Sequence, residues 1–300
     1  MKLVNPGVVA LFTESSAKQS TDSAKINLFD TGYAIDNACS VAYQKIEDTG
    51  EIWFSYDVVS TLAHFKPVWF VAQSSTREKI ASLSCATVND TTHLIVRNKD
   101  KDLYTSDASI PLLDGNKHNI EIHLKTGAEG RIDVWIDTKL FMSYRTPTDL
   151  IGTISYIGID NDTHSSYDYH SEIVVSSIIM QNTRRIGLEK FKKLTIDPAT
   201  EQNMAQGSLT SFTVSGLTDA AEFSDITGVA ALLQPTSRDA NISVGTFALN
   251  GVPLGTVDVS SSSGKDYVSA LATENATKAK PWTRDDIEGK TLTLKVDGAV

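Results

Sequence analysis

Residues 117–144, KHNIEIHLKTGAEGRIDVWIDTKLFMSY, predict a β-hairpin with one apolar and one polar face on both arms. The apolar set consists of Ile120, Ile122, Leu124, Ile132, Val134 and Ile136. The set that alternates with it consists of Asn119, Glu121, His123, Lys125, Arg131, Asp133, Trp135 and Asp137. Because successive side chains of a strand point to opposite sides, each set has its own face. Such a sheet buries one face and leaves the other for water or a ligand, which favours binding or assembly.

Short β-prone segments recur along the first 182 residues, and clusters of Asp, Asn, Gly and Ser separate them. Outside the hairpin, the clearest are Ile52–Val59, Pro67–Ala72, Ala81–Val88, His93–Arg97, Ser155–Ile159 and Ser171–Met180. No convincing amphipathic helix interrupts them. This spacing predicts an all-β protein that begins with an antiparallel β-sandwich or jelly roll.

The composition divides the chain near residue 183, and 300 residues fit two domains of the usual ~100–200 residues. Residues 1–182 form the predicted sandwich, and residues 183–193 form a basic connector. Residues 194–300 are again β-prone, and glycines separate the β-prone segments as turn residues do. This pattern predicts a smaller C-terminal β domain.

The connector concentrates positive charge in an acidic chain. Its basic residues are Arg184, Arg185, Lys190, Lys192 and Lys193, accompanied by one acidic residue, Glu189. The simple interpretation is a solvated linker. The alternative hypothesis is an assembly interface that docks onto an acidic neighbouring subunit.

The overall charge and hydropathy exclude two classes of partner. A formal net charge of −10 and a pI near 5.1 argue against nucleic acid, whose binding needs a broad basic surface. No apolar run approaches the ~18 residues of a membrane span. The apolar run in residues 1–18 is broken by Pro6 and Gly7, unlike a signal peptide. We therefore expect a protein that is made in the cytoplasm and stays there until it joins a particle.

Two patterns resemble the laminin-G-like, concanavalin-like jelly roll. From Gly115 to Leu140, GNKHNIEIHL followed by GRIDVWIDTKL resembles that family's paired central strands, with Thr138 where the family usually has Gly. SEIVV at 171–175, followed by Thr183-Arg184-Arg185, is similar to the last strand and exit of laminin-G-like domains in structural proteins of tailed bacteriophages. The resemblance implies a laminin-G-like sandwich.

A third pattern lies at the other end of the chain. Residues 281–287, PWTRDDI, resemble the WT-x-x-D-hydrophobic close of β domains in phage tail and fibre proteins. Together the resemblances imply a bacteriophage virion structural protein, a tail fibre, tail-tip or baseplate-associated subunit acting in assembly and host-surface adhesion. They imply other virion proteins as partners and a homotrimer. The alternatives are a capsid decoration or head fibre protein and a lectin-like carbohydrate-binding module.

The residues also bear on catalysis, and no nucleophile-elbow, P-loop or H-E-x-x-H motif is present. The strongest enzymatic alternative is a glycosidase, because Asp133 and Asp137 share a face of the predicted strand. Four residues separate their Cα atoms by about 13 Å, whereas glycosidase carboxyl groups stand ~5–9.5 Å apart. Arg131 stands where a catalytic Glu would be expected, and a pair of Glu121 with Asp133 stays open. We predict that the chain is not an enzyme.

The predicted ligand-binding residues are aromatic and acidic. Trp135 lies beside Asp133 and Asp137 on the polar face, and Tyr167 and Tyr169 lie near a loop. Such rings offer a flat apolar surface to a sugar. The alternative for Trp135 is packing under a neighbouring loop or subunit.

The predicted metal site is the loop that contains Asp160 and Asp162. Their alternating carboxylates are the hard oxygen donors that calcium prefers. The alternative, which we favour, is a polar turn whose Asp and Asn residues serve turn geometry. Apart from calcium, we expect no cofactor.

Overall fold

The computed structural model divides the chain into two compact units, Met1–Lys190 and Phe191–Val300. Each unit has its own buried hydrophobic core. Within the part of the chain that the structure describes, no helix has the length and hydropathy needed to cross a membrane. The described residues are 2–5, 14–15, 18–20, 32–36, 41–60, 68–88, 91–99, 101–160, 172–183, 185–187, 194–199, 202–217, 226–233, 242–259 and 268–298.

The first unit is a sandwich of two antiparallel sheets. Its strands are β1 (Lys2–Asn5), β2 (Glu14–Ser15), β3 (Lys18–Ser20), β4 (Gly32–Asp36), β5 (Val41–Thr49), β6 (Glu51–Ser60), β7 (Val68–Gln73), β8 (Lys79–Val88), β9 (Thr91–Asn98), β10 (Lys101–Ser109), β11 (Lys117–Lys125), β12 (Arg131–Ile136), β13 (Lys139–Arg145), β14 (Ile154–Asp160) and β15 (Glu172–Gln181). The eight-stranded sheet has the order β13-β12-β11-β6-β15-β4-β3, with β1 also paired to β15. The seven-stranded sheet has the order β10-β9-β8-β7-β14-β5-β2.

The predicted hairpin is β11 and β12, in the register that the alternation requires. Ile122 pairs with Val134, and both side chains are fully buried in the core between the sheets. On the other side of β11, Ile122 pairs with Phe54 of β6, which is also fully buried. The antiparallel all-β sandwich that the sequence predicted is therefore confirmed.

The second unit is also built of antiparallel strands. They are β16 (Thr195–Asp197), β17 (Leu209–Ser215), β18 (Val229–Leu233), β19 (Val244–Leu249), β20 (Val252–Asp258), β21 (Val268–Ala272) and β22 (Thr291–Asp297). A five-stranded sheet has the order β16-β17-β22-β19-β20, and β18 pairs with β21. A 3-10 helix, Arg284–Asp286, precedes β22.

The WT-x-x-D motif has a structural role at this 3-10 helix. Asp286 accepts hydrogen bonds from the backbone N–H (3.0 Å) and the hydroxyl (2.8 Å) of Thr283, and it forms an ion pair with Lys278. The hydrogen bond from Lys278 is the main cause that lowers the pKa of Asp286 to about 2. Trp282 is buried and donates its indole N–H to the carbonyl of Ala272 (3.1 Å). The motif thus ties the approach to β22 to the core and to β21.

The turn between β12 and β13 consists of Asp137 and Thr138, which both have positive φ angles, 49° and 71°. This is the two-residue turn with left-handed residues that matches strand twist and normally contains Asn-Gly or Asp-Gly. A β-branched residue at positive φ is strained, because its Cβ approaches the backbone.

We expect Thr138→Gly to stabilise the first unit by about 0.5–1 kcal/mol, because relief of a strain of ~1–2 kcal/mol exceeds the entropy that glycine adds to the unfolded chain. Urea unfolding followed by tryptophan fluorescence measures the effect. Thr148→Gly is the matched control, since Thr148 is exposed and lacks a positive φ. It should lower stability, and a loss of stability for Thr138→Gly as well would contradict the assigned strain.

Candidate functional site

The outer face of the eight-stranded sheet, opposite the core, carries the polar set of the hairpin. Across β6, β11 and β12 the register aligns Trp53, His123 and Asp133 in one row, and Ser55, Glu121 and Trp135 in the next. The sequence predicted that this face is open to water or a ligand. Instead, Glu121, His123 and Asp133 are only 1%, 3% and 1% exposed. Another segment of the same unit covers Glu121, whereas His123 is stacked on Trp53 and Asp133 lies against His123, Ser143 and Arg131.

The covering segment is Arg185–Gly187, which we call the return segment because it follows β15 and lies back over the sheet. The backbone N–H groups of Ile186 and Gly187 donate to Glu121 Oε1 at 2.7 Å and 3.1 Å. The guanidinium of Arg185 donates from Nε to Glu121 Oε2 at 3.0 Å. One buried carboxylate therefore holds three donors of the return segment.

Arg185 also contacts Trp135, the aromatic residue that the sequence singled out. Its guanidinium carbon lies 4.6 Å from the centre of the Trp135 ring, and Nη2 donates to the carbonyl of Thr138 at 3.1 Å. One face of Trp135 is therefore covered by a segment of its own unit, as one of the two sequence interpretations has it. Arg185 itself is engaged with Glu121 and Trp135. The hypothesis that the connector docks onto an acidic neighbouring subunit stays a prediction. The other basic residues of that hypothesis, Arg184, Lys190, Lys192 and Lys193, lie outside the described residues.

Three rings form a row on the outer face, which we call the aromatic row: Trp53, His123 and Trp135. The rings of Trp53 and His123 are parallel within 6° and their centres are 3.9 Å apart. The centres of Trp53 and Trp135 are 5.5 Å apart. Leu140 of β13, the strand partner of Trp135, is 58% exposed and extends the apolar surface.

His123 lies between two carboxylates. Its Nε2 is 2.7 Å from Glu51 Oε1, and its Nδ1 is 3.4 Å from Asp133 Oδ2. Asp133 also accepts hydrogen bonds from Ser143 (2.6 Å) and from Arg131. Burial raises the pKa of Asp133, but these hydrogen bonds outweigh it and hold the pKa below its usual value. The contacts to Asp133 and Glu51 on its two ring nitrogens fix the orientation of the His123 ring.

A groove of about 500 Å³ opens beside His123, at the end of the hairpin. Its lining residues are Glu51, His123, Lys125, Ala128, Glu129, Gly130, Arg131, Arg145, Thr146 and Pro147. The groove thus offers carboxylate acceptors, cationic donors, a hydroxyl and small apolar patches, a mixture suited to a polar organic ligand.

The sequence analysis did not predict the groove, although the sequence indicates two of its lining residues. The alternation of β11 and β12 places Lys125 opposite Arg131. The contributions of Glu51, Arg145 and Thr146 required strands β6 and β13 to be paired beside them, and no local pattern reveals that pairing.

Asp137 does not join Asp133 in a common acidic site. It lies in the turn after β12, where Oδ1 accepts from the backbone N–H of Asn119 (3.0 Å) and Oδ2 lies 2.7 Å from His118 Nδ1. Burial lowers the pKa of His118, but Asp137 and Asp114 outweigh it and raise the pKa above its usual value. Asp137 was thus wrongly assigned to the binding face, because the turn geometry takes it out of the strand.

The remaining predicted site residues are Tyr167, Tyr169, Asp160 and Asp162. Tyr167, Tyr169 and Asp162 lie outside the described residues, and Asp160 ends β14 with no described side chain. Among the residues that the structure describes, there is no group of three His, Cys, Asp or Glu side chains arranged to hold a metal ion. The calcium site at Asp160 and Asp162 stays a prediction.

No family model and no curated protein matches this sequence. Among solved structures, the chain is similar to the alginate lyase Aly36B, with 14% identity and a TM-score of 0.42, covering 61% of this chain and 98% of that one. It is similar to endo-β-1,4-glucuronan lyase from Trichoderma reesei, with 7% identity and a TM-score of 0.41 over 60% and 95% of the two chains. The carbohydrate recognition domain of Emp47p has 12% identity and a TM-score of 0.39 over 60% and 94%.

The prediction that this chain is not an enzyme is corrected by these similarities. Two of the three structures are lyases, so the absence of activity does not follow from this β architecture. The sequence argument weighed the spacing of acids, the absence of three catalytic motifs and a pair of Glu121 with Asp133. It did not consider Glu51 and His123, which lie beside Asp133 in the structure.

We expect Glu121→Ala to destabilise the first unit by about 2–3 kcal/mol, because it leaves the buried N–H of Ile186 without an acceptor and Arg185 without its carboxylate. Glu121→Gln should cost about 1 kcal/mol, since its amide oxygen still accepts a hydrogen bond. Urea unfolding followed by the fluorescence of Trp53 and Trp135 measures both.

The matched control is Glu129→Gln, because the Glu129 side chain is 77% exposed and its removal should change stability by less than about 0.5 kcal/mol. Equal losses for Glu121→Ala and Glu129→Gln would show that the return segment is not held by Glu121.

Proposed function

We propose that the first unit binds a saccharide in the groove beside His123, with the aromatic row next to it. The observation that carries this proposal is that one groove combines hydrogen-bond donors and acceptors with His123, whose ring is stacked on Trp53. A β-sandwich fold is consistent with this function.

The chemistry of the groove matches the chemistry of a sugar. Each sugar hydroxyl donates one hydrogen bond and accepts others, so it needs both carboxylates, such as Glu51, and cations, such as Arg145. The C–H faces of a sugar ring need apolar surface, which aromatic rings supply with a flat shape. Trp53 is half-buried, so part of its surface stays accessible.

We expect Trp53→Ala to weaken binding of the saccharide at least tenfold, which corresponds to about 1.4 kcal/mol. Trp53→Phe should retain most of the affinity, because a ring remains against His123. The ligand is first identified on a glycan array with the full chain, and titration calorimetry then compares the variants.

Tyr156→Ala is the matched control. Tyr156 lies on the other sheet of the same unit, where the guanidinium carbon of Arg77 is 3.5 Å from its ring centre, so the substitution also removes an arginine-covered aromatic ring. It should leave the affinity unchanged. Retention of no saccharide on the array, or equal affinity of Trp53→Ala and the unaltered chain, would refute the proposal.

As the setting of this binding function, we propose a bacteriophage virion, in which the protein is a tail fibre, tail-tip or baseplate-associated subunit that contributes to assembly and host attachment. The support is the resemblance of SEIVV at 171–175 with Thr183-Arg184-Arg185, and that of residues 281–287, to phage structural proteins. The proposal includes other virion proteins as partners, a homotrimer and synthesis in the host cytoplasm.

Mass spectrometry of separated heads and tails tests this setting, and we expect the protein in the tail fraction. Its presence only with heads would favour the capsid decoration or head fibre alternative. Its absence from both would leave a free carbohydrate-binding module.

A further inference from the structure

Three cations form a row across the end of the hairpin, and all of them line the groove. In strand register, Lys125 of β11 pairs with Arg131 of β12, and Arg131 pairs with Arg145 of β13. We call Lys125, Arg131 and Arg145 the cation row. Because paired residues on neighbouring strands point to the same side, the three positive charges lie next to one another.

This arrangement is unfavourable in the free protein, because like charges directly opposite each other on paired strands repel. Lys125 is compensated by an ion pair with Glu129, and Arg131 by an ion pair with Asp133. Arg145 is exposed and forms no ion pair within the described part of the chain. The row therefore has one uncompensated cation at the edge strand of the sheet.

The acidic residues of the groove make their contacts away from Arg145. Glu51 contacts His123 and Glu129 contacts Lys125, and among the described residues neither forms an ion pair with Arg145. A chain of net charge −10 thus presents, at this groove, a row of cations whose last member forms no ion pair with any residue that the structure describes. A planar guanidinium matches a carboxylate or sulfate by two parallel hydrogen bonds.

We propose that the groove recognises a saccharide that carries an anionic group, a carboxylate or a sulfate, and that Arg145 is the residue that selects it. This inference rests on the proposed saccharide binding and adds the ligand's charge. The anion supplies the missing counter-charge of the cation row, so binding also relieves the repulsion between Arg131 and Arg145.

The test compares oligosaccharides that differ only in charge. The full chain is applied to an array on which each neutral oligosaccharide is printed beside its uronic-acid form and beside its sulfate ester. We expect retention of charged members and at least tenfold weaker retention of their neutral counterparts. The uronic-acid and sulfate arms distinguish the two sources of the anion. Increasing salt should weaken the charged members only.

Substitution of Arg145 separates recognition from folding. Arg145→Gln should weaken binding of the charged member at least tenfold and binding of a neutral member by a much smaller factor, because the Gln amide still donates a hydrogen bond to a hydroxyl but supplies no charge to an anion. The same substitution should raise the melting temperature of the free protein, because it removes the repulsion with Arg131. Lys139→Gln is the matched control, since Lys139 is an exposed cation of the same strand outside the groove. It should change neither property.

The outcomes distinguish this inference from the function on which it rests. Equal retention of neutral and charged members, with loss of both in Trp53→Ala, would overturn the anionic ligand and keep saccharide binding. Retention of no saccharide would overturn both. Unchanged binding of the charged member by Arg145→Gln would overturn the role of Arg145.

Discussion

The pairing register of β6, β11 and β12 is the constraint on which the other features of the first unit depend. Because side chains alternate along a strand, a slip of one residue would exchange the two faces of the hairpin. Glu121, His123 and Asp133 would then enter the core in place of Ile120, Ile122 and Leu124. The cost of burying charged groups among aliphatic side chains makes every such alternative unfavourable. The register that buries the aliphatic set also places the aromatic row and the cation row on the outer face.

The outer face of the eight-stranded sheet is polar, yet several of its side chains are buried. Buried polar groups need hydrogen-bond partners, and this requirement explains the contacts on this face. Glu121 receives two backbone donors and a guanidinium from the return segment. Asp133 receives donors from Ser143 and Arg131. The exception is Arg131 Nε, which is buried without a partner among the described residues. Arg131 thus combines two unfavourable features, the repulsion from its neighbouring cations and an unsatisfied hydrogen-bond donor. Such features are typical of functional sites, where the residues are not those that would be most stable.

The motif at residues 281–287 of the second unit, which resembles phage proteins, has a structural role within its own unit. Asp286 caps the 3-10 helix that precedes β22, and Trp282 fills the core of this unit. Both residues determine how the chain enters its last described strand. The motif therefore indicates a way of closing a β domain, and it carries no information about a ligand.

The sequence by itself determined the strands whose alternation or β-branched content is strong, such as β6, β11 and β12, and the aliphatic face of the hairpin. It did not indicate β10 and β13, because LYTSDAS and LFMSYR lack a clean period of two. It correctly assigned Trp135 to the outer face and wrongly assigned Asp137 to the same face, since a turn interrupts the strand after Ile136.

Only the tertiary structure decided which residues form the candidate site. Glu51, His123 and Arg145 lie far apart in the chain, and they meet because β6 and β13 lie on opposite sides of the hairpin. The burial of Glu121 depends on Ile186 and Gly187, whose backbone N–H groups are common to almost all residues and leave no mark in a sequence. Local alternation of apolar and polar residues predicts on which face of the sheet a side chain lies. The residues that it contacts there are determined by strand order and by backbone hydrogen bonds.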